Sequence, residues 1–380
     1  MEFDLSEEQK MLKDAMHSFA EKEVAPLVDE SEKTSTFPVK LFPQMGDLGY
    51  LCLSYSPQYG AAGMGKIGEC IAVEEVAYYS VGIAAATMVQ GGIGTAAIYH
   101  HGTEAQKQKY LVPAIKGRKI ASFGLTEPNA GSDAAALQTT ATKRNGKYYL
   151  NGTKIFITNG NISDFVVTAA YTDKSKGSRA GMSLFIVEKD TPGFTRSKLY
   201  KFCARSSEIA ELIFEDCAVP AENLIGEEGQ GFPYVMQSLT GGRISHAARS
   251  LGLARAAYDN ALSYAQKRVQ FGQAIATFQA NSFKLARMAM EIDSARWMLY
   301  RAAWLYDQGR PHLREAAMAK LHASEVAART TMEALQINGG YGLMEDSVVQ
   351  RYFRDARLGT ITEGTSEIQL RVIAREIGIR

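Results

Sequence analysis

LARMAMEIDSARWMLYRAAWLY, residues 285–306, is the stretch that decides the fold. Leu285, Met288, Ile292, Ala295, Leu299, Ala302 and Tyr306 step by three and four, which lays one apolar stripe along one side of a long helix. Leu251, Ala254, Tyr258, Leu262, Ala265 and Val269 repeat the pattern on an earlier helix, and Ala316 to Gln336 reads as a third. Long amphipathic helices in series bury their stripes against one another, so residues 226–380 are expected to form a four-helix bundle. Upstream, from about Ile120 to Glu222, the apolar period drops to two. Candidate strands are Ser122–Leu125, Tyr148–Ile157, Phe165–Tyr171, Ser183–Glu188 and Glu211–Phe214, with Asn145-Gly146 and Asn151-Gly152 as hairpin-type turns. Residues 120–225 therefore read as a small antiparallel β domain. Residues 1–119 read as helical again. Glu7 to Ala25, Gly68 to Tyr79 and Gly82 to Tyr99 are candidate helices, Pro26, Pro38 and Pro43 mark helix ends, and Thr103 is a candidate N-cap for Glu104 to Leu111. The expected class is α+β: an all-α N-terminal domain, a β middle domain and a C-terminal bundle.

Composition narrows the function classes. The chain has 380 residues, 46% hydrophobic and 22% charged, an ordinary globular mix. Lys and Arg number 42 against 41 Asp and Glu, a net charge of +1. That balance gives no electrostatic footprint for nucleic acid or an anionic membrane. Cys52, Cys70, Cys203 and Cys217 show no metal-ligand or redox spacing, so reduced, packed thiols and no metal site are expected. His100-His101 lacks a carboxylate at ligand spacing and reads as a surface pair. No signal peptide, membrane-inserted helix or sorting tail is expected, and the expected location is cytoplasmic.

Five local features could carry chemistry. Phe123-Gly-Leu-Thr-Glu-Pro-Asn-Ala-Gly-Ser-Asp133 leaves a strand for a loop dense in hydroxyls and free N–H groups, suited to a flat polar ring or a phosphate; alone it is equally an ordinary turn. In Lys154-Ile-Phe-Ile-Thr-Asn-Gly160, Phe156 and Thr158 share a strand face and could flank a planar cofactor, or sit in a core strand. Arg268-Val-Gln-Phe-Gly272 ends a long helix and could pair with a pyrophosphate, or be a solvated C-terminal arginine. Gln336-Ile-Asn-Gly-Gly340 allows close backbone approach to a ligand, or is a glycine C-cap. Thr362-Glu-Gly-Thr-Ser-Glu-Ile-Gln369 places Glu363 on a loop before a helix start, where burial would suit it to act as a base; the alternative is helix capping. Gly92-Ile-Gly-Thr-Ala-Ala97 echoes a dinucleotide fingerprint but has no strand before it.

Together these segments resemble the acyl-CoA dehydrogenase family, collinearly and over nearly the whole chain. TEPNAGSD (126–133), RVQFG (268–272), QINGG (336–340) and EGTSEIQ (363–369) carry the resemblance. It implies an FAD enzyme that oxidises an acyl-CoA thioester to the trans-2-enoyl-CoA. Carried over, Phe123, Leu125, Thr126, Gly131 and Ser132, with Phe156, Ile157 and Thr158, would hold the isoalloxazine. Arg268, Phe271 and Gln279, with Gln336, Ile337, Gly339 and Gly340, would bind the adenosine and pyrophosphate side, partly from a neighbouring subunit. Thr365 and Glu367 would also touch FAD. Ser132, Thr240, Arg243 and Gly364 would contact the thioester ligand, and Glu363 matches the catalytic base. The resemblance further implies a homotetramer, a dimer of dimers, passing electrons to electron-transfer flavoprotein.

Some members carry the base on another helix, directly before the residue matching Arg243. That position is Gly242 here, which leaves Glu363 as the base candidate. Lys201-Phe-Cys-Ala-Arg205 departs from the family's Lys-Leu-Gly-x-Arg. Gly241-Gly242 suggests extra width for a branched, cyclic or aryl acyl group, unless neighbours such as Met88 or Gln90 fill it. Flavin-dependent enoyl-CoA reduction, an oxygen-using oxidase relative and a non-catalytic flavoprotein are the competing readings. Acyl chain, direction and electron acceptor stay open.

Overall fold

The computed structural model describes residues 4–379. The N-terminal part holds α1 (Glu7–Phe19), α2 (Val28–Thr34), α3 (Leu41–Asp47), α4 (Gly65–Tyr79), α5 (Val81–Gly91), α6 (Ala96–His101), α7 (Glu104–Gln106) and α8 (Val112–Ile115). Ser6 and Thr103 open α1 and α7 with capping boxes to Gln9 and Gln106, giving partners to terminal N–H groups that otherwise have none. α1 stops before Ala25: a π turn spans Ala20–Val24 and a tight turn holds Pro26, which has no N–H to donate. The apolar run Gly82–Tyr99, expected as one helix, is two. It breaks at Gly92–Thr95, where a Cβ on Gly94 would stand 2.8 Å from the Val89 carbonyl oxygen. Val81–His101 is long and apolar enough to cross a bilayer, yet 83% of its most apolar window is buried inside the protein.

The middle part is a mixed sheet rather than a purely antiparallel one. β1 (Ala121–Gly124), β2 (Thr140–Arg144), β3 (Lys147–Thr158), β4 (Phe165–Tyr171), β5 (Met182–Glu188), β6 (Phe194–Leu199), β7 (Ile209–Pro220) and β8 (Leu224–Ile225) run in the order β6-β7-β3-β2-β4-β5-β8; the short α9 (Gly177–Gly181) precedes β5. β1 joins β4 in parallel, Ala121 opposite Phe165. β2 meets β4 at a single pair, Thr140 with Tyr171, so the sheet folds over there. Tyr148, Leu150, Val166, Phe185, Leu212 and Phe214 fill the space between its halves. The other face of β4 and β5 presents Val167, Ala169, Leu184 and Ile186 to the N-terminal helices. Burial on both faces explains why these strands read as continuous apolar runs.

The turn at Asn145-Gly146 forms as expected, with φ of 48° and 74° between β2 and β3. Asn151-Gly152 is no turn. It lies inside β3 at a register shift, and a Cβ on Gly152 would come within 2.4 Å of Thr139 Oγ1. β2 and β6 were missed because they are polar and half exposed.

The C-terminal part is a bundle of α10 (Gly231–Lys267), α11 (Gln279–Asp307), α12 (Leu313–Asn338) and α13 (Val348–Ile361), closed by α14 (Ser366–Glu376). The stripe Leu285 to Ala302 is buried as read, with Tyr306 partly so. On α10 the stripe ends at Ala265; Val269 lies beyond the helix in a two-residue strand and is 56% exposed. α10 packs on α12, α11 and α4. It meets α4 backbone to backbone, since a Cβ on Gly252 would stand 2.2 Å from the Glu74 carbonyl oxygen. Beside that crossing Arg255 bridges Glu74 and Glu75 at 2.8 and 2.7 Å. α10 thus ties the N-terminal helices to the bundle and carries the residues that face the site.

Candidate active site

Glu363 occupies the four-residue turn, Thr362 to Thr365, between α13 and α14. Its own φ is 55° and that of Gly364 is 87°. A side chain at position 364 is excluded, because its Cβ would meet Gln369 Nε2 at 2.7 Å. A non-glycine residue in the left-handed region costs on the order of 1 kcal/mol or more and persists only where its surroundings fix it. They do so here: buried Gln369 donates to the carbonyls of Glu363 (3.0 Å) and Gly364 (2.9 Å), Lys320 donates to Gly364 (2.7 Å), and Thr365 caps α14.

The turn drives the Glu363 carboxylate into the protein against α10. Its side chain is 5% exposed, and Oε2 has no hydrogen-bond partner among the described residues. Burial pushes the Glu363 carboxyl up to about 7, against the pull of Arg243, Lys320 and Arg249. Arg243 is buried as well, with an unbonded Nε. His246 lies on the next turn, its Nε2 3.7 Å from Glu363 Oε1. Burial and Arg249 push His246 far below its ordinary value, so the contact is not an ion pair. Arg249 donates to His246 Nδ1 at 3.0 Å, which leaves the proton on Nε2, facing Glu363. Burial and Arg249 also lower Lys320 to about 7. A cavity of about 950 Å³, lined among others by Thr240, Gly241, Gly242, Lys66 and Tyr306, comes as close as Gly242, the residue against which the Glu363 carboxylate packs. A buried carboxylate with no hydrogen bond on either oxygen among the described residues, poised near neutrality and bordered by cationic groups, can take a proton from a carbon acid.

The loop after β1 and the bend in β3 come together as a second wall. Phe123 is buried in β1, Leu125 and Thr126 follow at its end, and Gly131 and Ser132 stand exposed beyond. Lys154, fully buried, donates to Glu127 (2.7 Å) and to the Leu125 carbonyl (3.1 Å), and Ile155 N–H donates to the Thr126 carbonyl. At the irregularity after Lys154 the strand turns Phe156 outward, at φ 60° and 63% exposed, while Ile157 points into the core. The hydroxyls of Thr126 and Thr158 make no hydrogen bond among the described residues.

Another group gathers elsewhere. Arg268 caps α10, and its guanidinium lies 5.6 Å from the Tyr341 ring, beside Gly339 and Gly340 at the end of α12. Phe271 tips a small hairpin at 94% exposure, and Gln279 opens α11. Gln336 and Ile337 lie in the last turn of α12. Arg243 and Arg268 are roughly 37 Å apart along one helix at about 1.5 Å per residue, so the chain does not bring this group to Glu363. Ser132 stays on its exposed loop, Thr240 bonds the Met236 carbonyl, and Glu367 is exposed in the first turn of α14.

Sequence reading missed His246, Arg249, Lys320, Lys66 and the Lys154–Glu127 pair. A signal existed for Lys154, which falls on an inward position of an alternating strand. The segment around Phe202-Cys203 is tied to α13. Ala204 N–H bonds Asp355 on α13 at 2.6 Å, and Lys201 folds back on the carbonyls of Ala204 and Ser207. All four cysteines are buried and unpaired. His101 stacks on Tyr234 at 3.7 Å.

The comparisons agree with this frame. The acyl-CoA dehydrogenase N-terminal, middle and C-terminal domain models match residues 6–118, 122–217 and 229–378. Butyryl-CoA dehydrogenase from Megasphaera elsdenii superposes with a TM-score of 0.96 at 44% identity, over 99% of this chain and 100% of that one. A chain solved in work on the electron transferring flavoprotein of Acidaminococcus fermentans and flavin-based electron bifurcation gives 0.97 at 45% identity, with both chains fully covered. Acryloyl-CoA reductase (NADH) of Anaerotignum propionicum is 44% identical over 99% of this chain and 96% of its own. The chain belongs to the acyl-CoA dehydrogenase family, oxidoreductases that use FAD.

Proposed function

We propose that this protein oxidises a short, branched or cyclic acyl-CoA between its α- and β-carbons, with Glu363 as the base. The observation that carries the reading is the buried Glu363 carboxylate with its unbonded Oε2. The β-domain wall suits the cofactor: Phe156 offers an exposed ring, and the Thr126 and Thr158 hydroxyls lack other partners. Leu125, Thr126, Phe156, Ile157 and Thr158 would hold the ring system of FAD, with Thr365 at the start of α14. Bound FAD supplies the acceptor for the hydride that leaves the β-carbon. This chain's residues supply the rest. The Glu363 carboxylate would take the α-proton. Arg243 and Lys320 offset the charge that the carboxylate brings to a buried site, and the backbone N–H of Glu363 would donate to the thioester oxygen as negative charge develops there. Burial keeps water from competing for the proton.

Arg268, Phe271, Gln336, Ile337, Gly339 and Gly340 lie too far from Glu363 to serve the same FAD within one chain. They fit the remote end of an FAD held by a second copy, which supports at least a dimer; the homotetramer, a dimer of dimers, rests on the family resemblance. Electron-transfer flavoprotein is the proposed acceptor, supported by the solved relative from Acidaminococcus fermentans. In this division residues 1–119 and 226–380 wall the acyl pocket, and residues 120–225 offer the flavin face.

Anaerobic titration of the flavin-loaded enzyme with saturated acyl-CoA thioesters tests the reading: bleaching of the flavin absorbance is expected, and no bleaching with any thioester overturns it. The relative that reduces acryloyl-CoA favours a second reading, reduction of an enoyl-CoA on the same residues. Rapid reoxidation of dithionite-reduced flavin by enoyl-CoA, without turnover of saturated thioesters, would select that direction.

A further inference from the structure

Gly242 makes room for the Glu363 carboxylate, not for a wider acyl group. The reaction proposed above then turns on alignment. The base belongs to the C-terminal part and the flavin wall to the β domain, and the two must face neighbouring carbons of one thioester. A misplacement of about 1 Å costs on the order of 100-fold in rate in such a reaction. The two walls need a fixed spacing, and the β6–β7 loop, residues 200–208, is tied to both.

The far end of this loop runs straight into the flavin wall. Ile209 and Ala210 open β7 opposite Thr158 and Ile157 of β3, and the Glu208 carbonyl accepts the Asn159 N–H at 2.9 Å. The middle of the loop is held by the C-terminal part. Ala204 is fully buried at a φ of 46°, a conformation unfavourable for a residue with a side chain. Its N–H donates to Asp355 Oδ1 at 2.6 Å, and its carbonyl accepts from Lys201 Nζ and from the Ser207 N–H. Arg354, next to Asp355, donates to the Phe202 carbonyl. Asp355 lies on α13, whose end at Ile361 leads through Thr362 to Glu363. Buried Arg249 donates to Thr362 Oγ1 at 3.4 Å and attracts both Glu363 and Asp355. The path from base to flavin wall is thus one helix, one hydrogen bond and one short loop.

This link is a costly one to build. Asp355 is 2% exposed. Glu32, from α2, holds the same loop: its Oε1 accepts the Ser206 N–H at 2.9 Å, and its Oε2 meets no partner among the described residues. Burial and the nearby Glu32 push the Asp355 carboxyl above its ordinary value. Apolar side chains would join the parts at lower cost, but they would fix neither direction nor length. A short N–H···O bond to a carboxylate fixes both.

We propose that Asp355 is a positioning residue: by holding the Ala204 N–H it sets the spacing between the Glu363 base and the flavin wall. The inference rests on the acyl-CoA reading above.

The test varies the length and the charge of the link separately, in the flavin-loaded enzyme. Asp355→Asn keeps an acceptor at the same reach without the charge. Asp355→Glu keeps the charge and the acceptor and adds a methylene. Asp355→Ala removes the acceptor. Butyryl-, isovaleryl- and cyclohexanecarbonyl-CoA are mixed anaerobically with the parent enzyme, and the fastest of them is used to measure the limiting rate constant of flavin reduction per bound flavin. A second readout needs no turnover: the change that bound crotonyl-CoA makes in the oxidised flavin spectrum reports how ligand and flavin stack. Asp355→Asn should stay within about threefold of the parent rate constant. Asp355→Glu and Asp355→Ala should each fall at least tenfold, with substrate affinity within about threefold and the crotonyl-CoA spectral change at least halved. Where one of these two yields no flavoprotein, the other carries the test. A merely structural role would lower flavin content or stability and leave the rate constant and spectrum of the remaining flavoprotein unchanged, and that outcome overturns the inference. So does a fall in Asp355→Asn as deep as in Asp355→Ala, which would assign the effect to charge. No reduction of the parent flavin by any of the three thioesters overturns the acyl-CoA reading itself.

Discussion

The Glu363 carboxylate lies against Gly242 so closely that a Cβ on the glycine would stand 2.9 Å from Oε1 and 3.0 Å from Oε2. The proposed base comes from the loop before α14, and its seat is a missing side chain on α10. Two segments 121 positions apart (363 − 242) therefore fix one geometry, one by supplying the carboxylate and the other by leaving room for it. Gly242→Ala should displace the carboxylate by an ångström or so without reaching the FAD wall. Such a shift costs on the order of 100-fold in rate where reacting atoms must be aligned. The expected outcome is normal flavin content with kcat lowered 10- to 100-fold. Retention of full kcat in the alanine variant would show that the contact does not position the base.

Burial sets the pH at which Glu363 loses its proton, and so the pH at which the proposed base can act. Its carboxyl is pushed up to about 7, so the base form is scarce below that pH and dominant above it. A proton on Glu363 blocks proton abstraction. kcat/KM should fall about tenfold per pH unit below about 7 and level off above it. Glu363→Gln has the same shape but no base at any pH. It should keep FAD and lose about 100- to 10,000-fold in flavin reduction by substrate, with no remaining acid limb. Single-turnover stopped-flow traces across pH 5.5–9 distinguish the two.

His246 borders the carboxylate without a hydrogen bond to it, so its effect on the position of that limb should be small. Its Nε2–H faces Glu363 Oε1 from 3.7 Å, held in that tautomer by Arg249. A donor directed at the carboxylate favours the charged form. His246→Leu removes the donor, so the Glu363 carboxyl should rise further and the acid limb of kcat/KM should move to higher pH. The plateau above the limb should change little, because the base itself is intact. A downward shift, or a plateau that collapses while the limb stays in place, would assign His246 a different role.

What could be read from the sequence follows the range of the interactions. The stripe from Leu285 to Ala302 and the Thr103 cap depend on residues three or four positions apart, so their spacing reveals them. Glu363 stood out because its turn lies in one short segment. Lys66 and Ser245, His246 and Glu363, and Lys320 and Gly364 meet only in the folded chain. A charged residue that ends up buried looks like a surface residue until its partner is known. Asn151-Gly152 misled for the opposite reason: a strong local turn signal was overridden by the pairing of β3 with β7, which absorbs it as a bulge.

Lys154 gives this point a thermodynamic test. It is fully buried, paired with Glu127 at 2.7 Å, and pushed down to about 8 chiefly by that burial. Lys154→Met leaves the Glu127 carboxylate buried without its counter-charge, although the Gln138 and Thr139 N–H groups still donate to it. Breaking one half of a buried pair costs about 3–5 kcal/mol, whereas removing both halves is far cheaper. The double variant Lys154→Met with Glu127→Gln should therefore recover much of the stability that Lys154→Met loses, since a neutral amide can still accept from Thr139. Because Lys154 also anchors the Leu125 carbonyl, the single variant should weaken FAD retention along with stability. Urea unfolding of the flavin-loaded enzyme, followed by both tryptophan and flavin fluorescence, measures the two losses together. If the single and double variants are equally destabilised, the pair contributes no electrostatic coupling and Lys154 acts there only by filling space.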